Sequence, residues 1–211
     1  MTSPLLEACI DSSAQAVLAR QHGAHRVELC AHLEWDGLTP YPDSLAQAIA
    51  LAEIPVMAMI RCRKGDFVYS SDELATMVQS AREVRLAGAA GVVFGALTPE
   101  GKIDLAALDQ IADAAYPLPL TFHKAIDYTP DPFSTLNELV RHGRTATVLS
   151  SGGPGLAWDN RVLLRQMVAY GKAHNLTVLV AGGVRWDNLE ALHAIVDATA
   201  YHGRKIVPNL F

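Results

Sequence analysis

The sequence predicts an α/β fold, a single closed (β/α)₈ barrel whose eighth helix is missing or very short. Three observations predict it. Eight short apolar runs recur along the 211 residues. Segments of helical length, with apolar residues at a period near 3.6, separate these runs. Three joints between a helical segment and the next run repeat one pattern, HGAHRVEL, AGAAGVVF and HGRTATVL: a glycine able to take positive φ, a few residues, then the strand.

The runs begin with LLEACI at Leu5 and RVELC at Arg26, and continue through VMAMI at Val56, GVVF at Gly91, LTFH at Leu120 and TVLS at Thr147. TVLVA at Thr177 and ATAYH at Ala198 complete the eight. The segments between them read AQAVLARQ, SLAQAIALAE, ELATMVQSAREVRLAG, LAALDQIADAA, FSTLNELVRH, RVLLRQMVAYGKAH and NLEALHAIV. Helix starts agree with this alternation: Ser12 with Gln15, Ser70 with Glu73 and Asp187 with Glu190 each set a capping oxygen three residues before an acceptor side chain, and Asp131 precedes Pro132. Eight βα units in about 200 residues fit the small end of the TIM-barrel range. The open doubly wound alternative carries a GxGxxG turn after its first strand, and CIDSSAQ stands there instead. After His202 only GRKIVPNLF follows, too short for a full helix, so something else must cover the last strand, a neighbouring subunit being one candidate. No linker or low-complexity run divides the chain, and 1–211 reads as one domain.

A net charge of −5 argues against nucleic acid and against an anionic membrane surface. No window reaches the roughly 18 apolar residues of a membrane span. The start MTSPLLEACIDSS lacks the basic and apolar regions of a secretion signal. Cys9, Cys30 and Cys62 are odd in number and lack CxxC spacing. All of this fits a reduced, cytoplasmic chain.

In a closed barrel the C-terminal ends of the strands form the mouth where ligands bind. Polar residues gather at those ends: Glu7, Glu28, Arg61, His123 and His202, from five different strands, are the candidate catalytic group. An imidazole there can exchange protons near neutral pH, and a carboxylate beside a guanidinium stays ionised. Strand alternation puts Glu7 with Cys9, Glu28 with Cys30 and Arg61 with Arg63 on shared faces, turns Cys62 outward unless the chain has already left the strand, and turns Lys124 away from His123. Ser150, Ser151 and Gly152 after strand six, with Gly182 and Gly183 after strand seven, place backbone N–H groups where an anion can approach, and Arg63 adds a charge. The same glycines also serve as simple tight turns. Cys9 with Cys30 offers two soft thiolates of the kind that suit Cu(I), or two small buried hydrophobes. Trp35, Trp158 and Trp186 lie in or after βα loops, where they could wall a pocket or meet a subunit.

RVELCAHLEWDGLTP, MIRCRKGDFVYSSDEL, GVVFGALTPEGKID, LTFHKAID, VLSSGG and AGGVRWDNL occur in that order, and together they resemble the CutC family, the copper homeostasis proteins. The resemblance covers nearly the whole chain. It implies a cytoplasmic, oligomeric TIM barrel linked to copper handling and Cu(I) binding. The family pattern falls on Glu7, Glu28, Cys30, Arg61, Arg63, Asp66, His123, Asp127, Ser150, Gly152, Gly182 and His202. The resemblance implies Cys30 as the copper ligand, and strand parity adds Cys9. The chain departs from the pattern at Cys62, where the family has proline, at Lys124, where it has arginine, and after His202, where GRK replaces a serine-rich stretch.

Two readings follow. One is a cytoplasmic Cu(I)-binding protein that forms homo-oligomers. The other is an enzyme acting on a small anionic or phosphorylated substrate, with His123 or His202 as general base and Arg61 and the glycine loops on the anion.

Overall fold

The computed structural model describes residues 3–210. Strands and helices alternate as β1 (Leu5–Ile10), α1 (Ser13–Gln21), β2 (Arg26–Leu29), α2 (Pro42–Ala52), β3 (Val56–Met59), α3 (Ser71–Leu86), β4 (Gly91–Phe94) and α4 (Leu105–Ala115). The order continues with β5 (Leu120–Phe122), α5 (Pro132–His142), β6 (Thr147–Ser150), α6 (Arg161–Ala173), β7 (Thr177–Val180), α7 (Leu189–Val196) and β8 (Ala200–Gly203). All strands are parallel and close into one barrel, β8 pairing with β1. This is the predicted (β/α)₈ architecture, and no eighth helix follows β8 among the described residues.

Helix starts follow local chemistry. The Ser12 side chain accepts from Gln15 N–H, Ser70 and Glu73 form a reciprocal capping box, and Asp131 accepts from the N–H groups of Phe133 and Ser134. Asp187 differs from expectation. It binds Arg185 at 2.9 Å, and α7 starts after Asn188 instead. The three glycines of the repeated joints, Gly23, Gly88 and Gly143, all have positive φ.

Alternation along the strands splits the core in two. Outward residues such as Ile10, Leu29, Ile60, Phe94 and Phe122 pack under the helices with Ala16, Ala48, Met77, Ile111 and Leu139. Phe94 and Phe122 are fully buried, each contributing about 2 kcal/mol or more. Small helix residues let α1 and α2 lie close to the sheet. Inside the barrel, Cys9, Cys30, Leu33, Met57, Met59 and Val93 form one cluster, and Leu149, Leu179, Ala181 and Ala200 another.

The outer face of the last strand is covered from within the chain. Tyr201 is fully buried, its hydroxyl 3.0 Å from Nδ1 of His193 and accepting from Ala198 N–H. The tail turns back so that Ile206, Val207 and Leu210 join the outer core.

Candidate functional site

Register builds the first polar group at the barrel's interior. On the seam, Glu7 of β1 stands opposite His202 of β8 on one side and Arg26 of β2 on the other, while Cys9 stands opposite Glu28. Glu7 accepts from both neighbours, 2.5 Å from Arg26 Nε and 2.7 Å from His202 Nδ1. The other imidazole nitrogen, Nε2, lies 3.6 Å from Glu28 Oε2. The donor atoms of Cys9, Glu28 and Cys30 lie within 4.8 Å of one another, and so do those of Glu7, Glu28 and His202. Glu28 belongs to both sets, and its Oε1 is buried without a hydrogen-bond partner.

The electrostatics follow from this packing. Burial opposes ionisation of Glu7, yet the His202 hydrogen bond and the Arg26 charge hold its carboxyl below the usual range. Burial likewise opposes a charged His202, but Glu28, Cys9 and Glu7 raise it well above the ordinary histidine value. A hydrogen bond from Cys30 draws the Cys9 thiol well down, aided by His202. Burial, with the Cys9 charge beside it, pushes Glu28 well up, and Cys30 rises too as partner to Cys9 and through burial. Arg26 and His202 are the cationic side chains bound to Glu7.

The structure separates Arg61 and His123 from this group. Arg61 is bound by carbonyl oxygens: Nη1 donates to Trp35 and Gly37 at 3.1 and 3.3 Å, and Nη2 to Gly65 at 2.9 Å. The guanidinium beside Glu7 is that of Arg26. His123 Nδ1 accepts from Ala125 N–H at 3.1 Å. Burial, then the nearby Arg61 charge, pushes this imidazole down to about 3. A ring that stays neutral to that point is a hydrogen-bonding group and a poor base near neutrality. Room for it comes from Gly95, since a Cβ there would lie 2.4 Å from His123 Nδ1.

The turn after β6 is filled from inside. Asp127 accepts from Ser150 Oγ and Ser151 Oγ, both at 2.6 Å, from Ser151 N at 2.9 Å and from Gly153 N at 3.0 Å. Gly152 N donates to Ser150 Oγ. In the turn after β6 the amides of Ser151 and Gly153 therefore already hold an internal carboxylate, and that of Gly152 holds Ser150. Gly182 packs on Ser151, where a Cβ would come within 2.6 Å, and Gly183 O accepts from Asn188. Arg63 leaves the face of Arg61, because β3 ends at Met59 and the alternation stops with it; it binds Glu73 at 2.5 Å and Asp66 at 2.9 Å. Cys62, also beyond the end of β3, packs against the outer core. Trp35 stacks on His32, with Lys64 Nζ 4.9 Å from its ring centre.

Sequence reading missed Arg26, Met57 and Met59. Arg26 sits two residues before Glu28 on the same face, a signal that alternation alone could have given.

The pattern of the CutC family matches residues 4–207. A human relative called copper homeostasis protein cutC homolog is 38% identical over 198 residues, covering 94% of this chain and 72% of its own. A family protein CutC from Salmonella typhimurium is 39% identical over 186 residues, 88% of this chain and 74% of that one. A crystal structure of a CutC protein from Streptococcus agalactiae superposes with a TM-score of 0.89 at 30% identity, covering 97% of this chain and 100% of that one. A dihydrodipicolinate synthase from Bacillus anthracis, at 11% identity and a TM-score of 0.69, shares the barrel over 96% of this chain and 70% of its own. With the barrel, the motifs and these relatives in agreement, the chain belongs to the CutC family of copper homeostasis proteins.

Proposed function

We propose that this chain binds Cu(I) as its cargo through the thiolates of Cys9 and Cys30, in the cytoplasm and as a homo-oligomer. The observation that carries the reading is the meeting of Cys9, Cys30 and Glu28 donor atoms within 4.8 Å of one another. Two thiols at that spacing suit a soft monovalent ion, and the lowered Cys9 thiol is the form that binds it. Met57 and Met59 surround the same cluster with thioethers. The names of the human and mouse relatives, which speak of copper homeostasis, agree. No helix among the described residues is long and apolar enough to cross a membrane.

The test is an anaerobic Cu(I) titration against a competing chelator. Binding that withstands the competitor in wild type and Cys62→Ser, and weakens at least tenfold in Cys9→Ser and in Cys30→Ser, supports the reading. Weak binding that both substitutions leave unchanged would sink it.

A second reading is an enzyme, and one observation favours it. Glu7 fixes Nδ1 of His202 and leaves Nε2 facing Glu28, the arrangement of an oriented proton carrier. Its substrate would be a small anion at the mouth.

A further inference from the structure

The copper reading makes no use of Arg61 and His123, and these two side chains carry an imbalance. Arg61 is 4% exposed, its hydrogen bonds go to the neutral carbonyls of Trp35, Gly37 and Gly65, and the neutral hydroxyl of Tyr69 lies beside it. Among the described residues no carboxylate forms an ion pair with it. Its Nε is buried with no partner. Burying a guanidinium without a counter-charge is costly, and proteins rarely accept it unless a ligand supplies the anion.

His123, also 4% exposed, stands beside it. Because Nδ1 accepts the Ala125 N–H, the neutral ring carries its proton on Nε2. That Nε2 is buried and has no acceptor. The two unpaired donors flank one ring: Arg61 Cζ lies 5.0 Å from the centre of Phe67, and the His123 ring centre 4.9 Å from it. The intervening strand β4 is followed by Gly95, whose missing side chain leaves the His123 ring its place.

We propose that Arg61 and His123 form a binding site at the barrel mouth for the carboxylate of a small molecule, its oxygens accepting from Arg61 Nε and His123 Nε2. The donor set selects the class. One fixed positive charge and two unpaired N–H groups match a carboxylate. A phosphate has more oxygens to satisfy, and the glycine turn after β6 is held by Asp127. Phe67, half-buried and touching both donors, suits a short carbon skeleton. The site shares no residue with the thiol pair and does not rest on the copper reading.

The test is a titration of the ¹⁵N-labelled full chain, followed by NMR at the histidine side-chain nitrogens. The probes are acetate, pyruvate, succinate and glutarate, with inorganic phosphate and chloride at matched ionic strength as controls. The expected result is a saturable shift at His123 Nε2 with at least one of the acids and none with either control. His123→Phe, which keeps a ring and removes the donor, should weaken calorimetric binding of that acid at least tenfold. Arg61 also braces three loop carbonyls, so the wild-type titration carries the test even if Arg61→Lys fails to fold. No saturable shift with any acid up to tens of millimolar overturns the proposal, as do an equal response to phosphate and unchanged affinity in His123→Phe. The Cys9→Ser/Cys30→Ser variant should bind the acid as wild type does. Loss there would tie the acid to the thiol cluster and overturn a separate site.

Discussion

Glu7 Oε1 lies 2.7 Å from Nδ1 of His202, a hydrogen bond between residues 195 positions apart that stitches the first strand to the last. The same carboxylate takes Arg26 on its other side. Glu7→Gln leaves Arg26 and a raised His202 without their shared anion, so a loss of about 3–5 kcal/mol is expected from breaking a buried ion pair. Urea unfolding at pH 7 measures it, and a loss below about 1 kcal/mol would show the pair to be solvated. The Glu7 carboxyl is lowered in the fold, so its contribution is present above the unfolded carboxylate value and fades as pH falls through the folded one.

His123 titrates in the opposite sense to a stabilising histidine. Its folded value is about 3 against roughly 6.5 unfolded. Between those values the unfolded chain binds the extra proton, so stability falls as pH drops through that window, by up to about 1.4 kcal/mol per pH unit. His123→Gln should flatten this acid limb relative to wild type. Parallel limbs in the two proteins would refute the buried neutral ring.

Gly37 guards the thiol cluster. Its φ is +85°, and a Cβ there would sit 2.8 Å from Cys30 Sγ. Gly37→Ala should cost about 1–3 kcal/mol through strain and crowding, and should weaken Cu(I) binding at Cys30. Thermal melts and the chelator competition check the two effects. Gly23→Ala is the control, because nothing lies within 4 Å of its added methyl. It should show the strain alone and leave copper affinity intact.

Asp127 is the keystone of the turn after β6. Asp127→Ala strands two hydroxyls and two amides that now donate to it, a loss of about 3 kcal/mol or more. Ser150→Ala removes one of those donors and should cost about 1 kcal/mol. Amide exchange at Ser151 and Gly153 should quicken in the first variant, and unchanged protection there would contradict the internal-carboxylate picture.

Periodicity and capping chemistry made most of the barrel legible. The run LAALDQIADAA is α4 residue for residue, and Ser12, Ser70 and Asp131 cap as their spacing foretells. Asp187 failed as a cap because Arg185, two residues earlier, competes for its carboxylate. At the site, alternation gave the inward pairs Glu7 with Cys9 and Glu28 with Cys30. What one strand cannot reveal is angle around the barrel. Strand order sets β8, β1 and β2 side by side, where Glu7, Glu28 and His202 meet, while Arg61 and His123, after β3 and β5, meet on Phe67. Arg26 escaped notice because its importance comes from register against Glu7 on a neighbouring strand. The hold of Asp127 on the glycine turn links positions more than twenty residues apart, beyond any local motif.

The seam between β1 and β8 also sets a timetable. During synthesis the N-terminal strand emerges first, yet Glu7 meets His202 only once the eighth strand has left the ribosome. Until then β1 has an open edge on the side where β8 will lie, and the Cys9–Cys30 pair is without its imidazole neighbour. A nascent chain can thus hold both thiols long before it holds the completed centre, and any metal it picks up early meets an unfinished set of donors.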